Sequence, residues 1–157
     1  MLTTGFNHVA ILTNDTERLQ AFYREVFDAQ VLRDGPEPGA DEGPVRMTVI
    51  HVGPSAELNV FQVTGNTEAD RQTPMFGRGR IDHLALQADS IESFDEIRNR
   101  LMARGAADDF VTDFGQILSV FFRDPDGLEC EVCVVNPDAV PGASNPPGTP
   151  AKRYAKA

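Results

Sequence analysis

Apolar and polar positions alternate along residues 6–12 and again along 81–87, and each run then gives way to a three- and four-residue period. In the first run Phe6, His8, Ala10 and Leu12 share one face of a strand, with Val9 and Ile11 on the other. In the second, Ile81, His83, Ala85 and Gln87 share a face, with Leu84 and Leu86 opposite. Leu19, Phe22, Tyr23, Val26 and Phe27 then recur at helical spacing, as do Ile91, Phe94, Ile97 and Leu101. Asp15 or Thr16 is expected to cap the first helix and Asp89 or Ser90 the second, which Gly105 should stop.

Three strand-like segments follow each helix. In the first copy they are 29–33, 45–52 and 57–64, separated by the turn-rich DGPEPGADEGP and by Gly53-Pro54-Ser55. In the second they are 109–113, 117–123 and 128–135, with Asp124-Pro125-Asp126-Gly127 as the turn. The chain thus repeats a βαβββ unit, once over 5–65 and once over 80–135, joined by 66–79. The expected fold is α+β, with eight strands in one sheet and both helices on its outer face. Residues 136–157 carry Pro137, Pro141, Pro146, Pro147 and Pro150, a density that excludes helix and central strand. That tail is expected to be disordered or laid along a neighbouring subunit.

Composition narrows the function. The 157 residues make about one domain, with a real core. A net charge of −10 repels phosphate backbones and makes nucleic acid an unsuitable partner. No run approaches the roughly 18 apolar residues of a membrane span. Met1–Phe6 shows neither a basic start nor an apolar run, so the cytoplasm is the expected compartment. Cys130 and Cys133 have C-x-x-C spacing, but residues three apart in a strand face opposite ways, so two packed thiols are favoured over a redox pair.

The chemistry gathers on the strands. Of three histidines, His8 and His83 fall at the same place in the two copies, on the face turned away from the helices. Alternation in the last strand puts Glu129, Glu131, Cys133 and Val135 on that face too. Inward carboxylates cost free energy unless paired, protonated or metal-bound. A hydrogen-bonded core histidine is the ordinary reading of one such residue. Two repeat-matched imidazoles with Glu131 suit one divalent metal instead, such as Fe, Mn, Zn or Ni, with coordination sites left for substrate.

Through its two βαβββ units, FNHVAILTND, IDHLALQA and DPDGLECEV, the chain resembles the vicinal oxygen chelate superfamily of glyoxalases, bleomycin-resistance proteins and dioxygenases, over residues 5–135. That resemblance implies a half-barrel-like sheet around a metal held by His8, His83 and Glu131. It also implies a homodimer and Lewis-acid chemistry on a small substrate with neighbouring oxygens. The fourth family position falls on Asn59, opposite Glu131 in the repeat, where glyoxalases carry a carboxylate; an amide is a weaker, neutral ligand and no base. Phe121 and Thr112-Asp113-Phe114 stand where ring-cleaving dioxygenases are expected to have Tyr and His. No cationic cluster near DPDG suits a phosphonate. A metal-dependent lyase, isomerase or oxygenase is therefore expected, a lyase or isomerase being favoured over an extradiol dioxygenase, with an antibiotic- or small-molecule-binding protein of the bleomycin-resistance type as the alternative. Glu129, Glu57 and His51 are the candidate proton-transfer groups, and Phe61, Phe121 and Cys133 the candidate cavity wall.

Overall fold

The hydrophobic face of each helix organises its half of the chain. This computed structural model describes residues 2, 5–36, 45–70, 81–108, 110–139 and 152–153. The 37–44 turn, most of the 66–79 connection and most of the tail lie outside the described residues. The chain divides into two units, one of 1–72 with 125–127, the other of 73–124 with 128–157.

The first unit runs β1 (His8–Leu12), α1 (Thr16–Phe27), β2 (Gln30–Pro36), β3 (Val45–Gly53) and β4 (Ala56–Val63), with a 3-10 turn at Glu68–Asp70. The Asp15 side chain caps α1 by accepting from the Arg18 N–H, and Asp28 ends it in the left-handed region at φ 53°. Leu19, Tyr23 and Val26 on α1 are fully buried, with Ile50, Leu58 and Val60 of the sheet also buried. Full burial of such a side chain contributes about 2 kcal/mol. The strand order β1-β4-β3-β2 sets the first strand parallel beside the last. β2 runs three residues beyond its expected end, through a bulge at Leu32 to Pro36. An edge strand tolerates both a bulge and a terminal proline.

The second unit repeats the plan with β5 (Leu84–Gln87), α2 (Ile91–Ala103), β6 (Phe110–Asp113), β7 (Ile117–Arg123) and β8 (Glu129–Val135). Its order is β5-β8-β7-β6, and β5 lies parallel to β8. Ser90 caps α2, and Gly105 follows the helix with φ +65°. The buried stripe of α2 is Phe94, Arg98 and Leu101 rather than one through Ile97. The buried stripe thus takes in a whole arginine side chain, Arg98 being 2% exposed.

All eight expected strands are present, but they form two sheets, one in each unit, rather than one continuous ladder. The reason lies in the hydrogen bonding: every described ladder among β1–β8 closes within its own copy. A short β9 (Lys152–Arg153) adds to the β6 edge, antiparallel. It follows Pro150, the last proline of the tail, where backbone N–H groups are again free to pair.

An ion-pair group ties the β2 edge to α1. Arg46 reaches Asp34 at 2.6 Å and Glu17 at 2.5 Å, while Thr48 and Gln20 also hydrogen-bond Asp34. Arg46 above all holds the Asp34 carboxyl well below the usual carboxylate range. A depressed folded-state value stabilises the fold above the unfolded value of about 4 and is lost as pH falls below it. Asp34→Asn should therefore cost about 1 kcal/mol in urea unfolding at pH 7, discounted for partial exposure. The penalty should shrink toward pH 3; one independent of pH would contradict this account.

Candidate metal and substrate site

The two parallel pairings bring the candidate residues into register. In the first unit His8 lies beside Glu57, and Ala10 beside Asn59. His51 on β3 sits across from Glu57, so His8, Glu57 and His51 form one cross-strand row. In the second unit Ala85 lies beside Glu131, two residues along from His83. Asn59 and Glu131 thus hold matching places beside Ala10 and Ala85, as the repeat alignment expects.

His83 and Glu131 come together. The His83 Nε2 lies 3.2 Å from the Glu131 Oε2. Glu131 is 6% exposed, and its Oε1 accepts a hydrogen bond from the Ser119 hydroxyl. Ser119 is fully buried and reaches Glu131 as a diagonal neighbour across the β7–β8 ladder. The other ring nitrogen of His83, Nδ1, lies 2.8 Å from the Asp82 Oδ2. Phe121, opposite Glu131 on β7, meets the His83 ring edge-on at a centroid distance of 5.7 Å. One wall of the expected apolar cavity is thus in contact with a candidate ligand.

The other candidates are placed differently. His8 is exposed, with its Nδ1 2.8 Å from the Asn7 Oδ1. Asn59 carries a buried Oδ1 with no hydrogen-bond partner among the described residues. Glu129 is held by Arg123 at 3.0 Å. Both residues line an open depression of about 350 Å³ with Phe121, Phe122 and the Gly105–Asp108 loop. Among the described residues no three His, Cys, Asp or Glu side chains gather into one group. Phe61 stands in its own unit beside Leu12 and Met47.

Three neighbours of the candidate ligands were not assigned from the sequence. Ser119 is a single hydroxyl inside the apolar strand ILSVFF, and such a residue needs a buried partner. Asp82 and Asn7 give a plainer signal, a polar residue directly before histidine in both copies.

The model of the Glyoxalase/Bleomycin resistance protein/Dioxygenase superfamily matches residues 5–132. The chain belongs to this superfamily. Among solved structures it is similar to a glyoxalase family protein from Enterococcus faecalis, at 27% identity and TM-score 0.64, covering 85% of this chain and 99% of that one. It is similar in fold to a lactoylglutathione lyase from Agrobacterium tumefaciens, at 23% identity and TM-score 0.57, covering 85% and 96%. A fosfomycin resistance protein, FosX, from Listeria monocytogenes, solved with Mn(II) and sulfate, matches at 18% identity and TM-score 0.60, covering 88% and 98%. A search of curated proteins finds no match. No helix among the described residues is long and apolar enough to cross a membrane.

The donor chemistry of this superfamily member fits a divalent ion. Two donors each ~2.1 Å from one ion and at right angles to each other stand about 3.0 Å apart. The 3.2 Å between His83 Nε2 and Glu131 Oε2 suits such a pair. In the first unit the Asn59 Oδ1 is a neutral oxygen without a partner among the described residues, and leaving such an atom unsatisfied costs about 1–3 kcal/mol.

The cysteines sit on opposite faces of β8 as buried thiols not joined in a disulfide. Burial, reinforced by Glu131, pushes the Cys133 thiol up to about 12. Neither thiol should react with Ellman's reagent in the native protein at pH 8, and both should react after guanidinium unfolding. Rapid labelling of the folded chain would contradict the packing described.

Proposed function

We propose that the chain is a divalent-metal-dependent lyase or isomerase acting on a small substrate that offers two neighbouring oxygens. The observation that carries the reading is the convergence of His83 Nε2 and Glu131 Oε2, donors of opposite formal charge at ligand-to-ligand distance. His8 and His83 would supply imidazole nitrogen, Glu131 a carboxylate and Asn59 a weaker amide oxygen. Fe, Mn, Zn and Ni all suit this set. Once bound, the ion supplies Lewis-acid polarisation of the substrate oxygens.

The remaining work belongs to the chain. Glu129 is engaged by the Arg123 guanidinium, which favours Glu57 or His51 as the group that moves a proton. These two stand in the row beside His8. Phe121, with its ring against His83, would exclude water from that side and offer no acidic hydrogen. Its lack of a hydroxyl weighs against ring cleavage of catechols. The paired histidines and Glu131 favour catalysis over simple sequestration of an antibiotic.

A homodimer accompanies this reading. Phe6 at 88%, Leu32 at 53%, Ile81 at 80% and Val135 at 67% exposure leave large apolar side chains open to water, as interfaces do.

Metal analysis tests the assignment. Purified protein should carry about one divalent ion per chain, and a His8→Ala, His83→Ala double variant should lose it. Equal metal in both would remove the ligand set. Metal-loaded protein should turn over methylglyoxal–thiol adducts in preference to catechols or fosfomycin. Turnover of catechols would reverse the ranking, and silence with all three would favour binding alone.

A further inference from the structure

His8, His83 and Glu131 each have a second polar atom that is already occupied, and the occupants follow a pattern. In both copies the residue directly before histidine presents an oxygen 2.8 Å from Nδ1, Asn7 for His8 and Asp82 for His83. An ionised carboxylate can only accept, so the His83 Nδ1 carries the hydrogen toward Asp82. The amide oxygen of Asn7 imposes the same arrangement on His8. Holding a proton at Nδ1 leaves Nε2 as the nitrogen at which a metal ion would stand in place of a proton, between the ring and the Glu131 Oε2. Glu131 has the equivalent constraint: Ser119 takes Oε1, and Oε2 is the atom turned to His83.

We propose that Asn7, Asp82 and Ser119 are positioning residues for the metal donors, a claim that rests on the metal-dependent reading above. Asn7 and Asp82 fix both histidines as Nδ1–H tautomers aimed through Nε2, and Ser119 fixes the carboxylate rotamer of Glu131. The two copies are not equal in this. Asp82 brings a full negative charge and strengthens His83 as a donor, whereas Asn7 orients His8 without adding charge. His83 is therefore the dominant imidazole of the pair, and the anionic half of the duplication carries most of the affinity.

The test is Mn(II) binding to the metal-stripped full chain, read from the electron paramagnetic resonance signal of free Mn(II) and independent of turnover. Asp82→Ala and Ser119→Ala should each weaken binding about 10- to 100-fold. Asp82→Asn should recover most of that loss by restoring an acceptor, and Asn7→Asp should tighten binding above wild type. Asp34→Asn, away from the site, should bind as wild type does.

Ser119 is fully buried, so its variant needs a thermal-unfolding control. Asp82 is partly exposed, and its variants should keep the wild-type unfolding midpoint. In Zn(II)-loaded protein, nitrogen-15 spectra should show the His83 Nδ1 protonated, and Asp82→Ala should broaden or shift that signal. Wild-type affinity in Asp82→Ala and folded Ser119→Ala, with the wild type binding Mn(II), would overturn the positioning roles and leave the metal reading standing. A wild type that binds no divalent ion would overturn both.

Discussion

In each half of the chain the first strand lies parallel to the fourth, and the register sets Ala10 against Asn59 and Ala85 against Glu131. Parallel strands need a long connection, which the helix and the two middle strands supply. That crossover carries the apolar stripe of α1 or α2, whose burial holds it against one side of the sheet. The opposite side keeps its polar side chains. A shift of one residue in either parallel ladder would send histidine into the helix-side core and a leucine or valine to the open face. The placement of His8 and His83 therefore depends on burying their apolar neighbours, Val9, Ile11, Leu84 and Leu86.

The duplication has been kept in geometry while diverging in charge. The first unit holds an exposed histidine with an amide before it and an amide beside its row. The second holds a partly buried histidine between two carboxylates. Burial explains why the second arrangement needs more partners. Glu131, at 6% exposure, would be costly without Ser119 and His83, whereas His8 in water needs little help. Glu129, one step toward the strand end, has Arg123 instead.

Much of the fold could be read from the sequence because two periods, two and 3.6, occur in the same order twice. Side-chain chemistry narrowed each helix cap to two residues, of which Asp15 and Ser90 do the capping, and alternation gave the strand faces of His83, Ala85, Glu129 and Glu131. Arg98 was not legible, since hydropathy assigns a cationic side chain to water and this one is buried whole. Separation into two sheets was also hidden, because alternation states which face a residue takes and not which strand it pairs with. In the site, the shared face of His83 and Glu131 was legible from alternation, and Ser119 was not, since a lone serine announces no partner.

Ala10 and Ala85 stand at the same register, each alongside the donor-bearing position of the last strand, and both methyl groups face solvent. A methyl fills little space, so neither alanine crowds its neighbour in the last strand, even though Glu131 is only 6% exposed. Side chains here take no part in the helix-side packing. Selection acting on these two positions has a way to narrow or reshape entry to the donors without disturbing the core that keeps them in place.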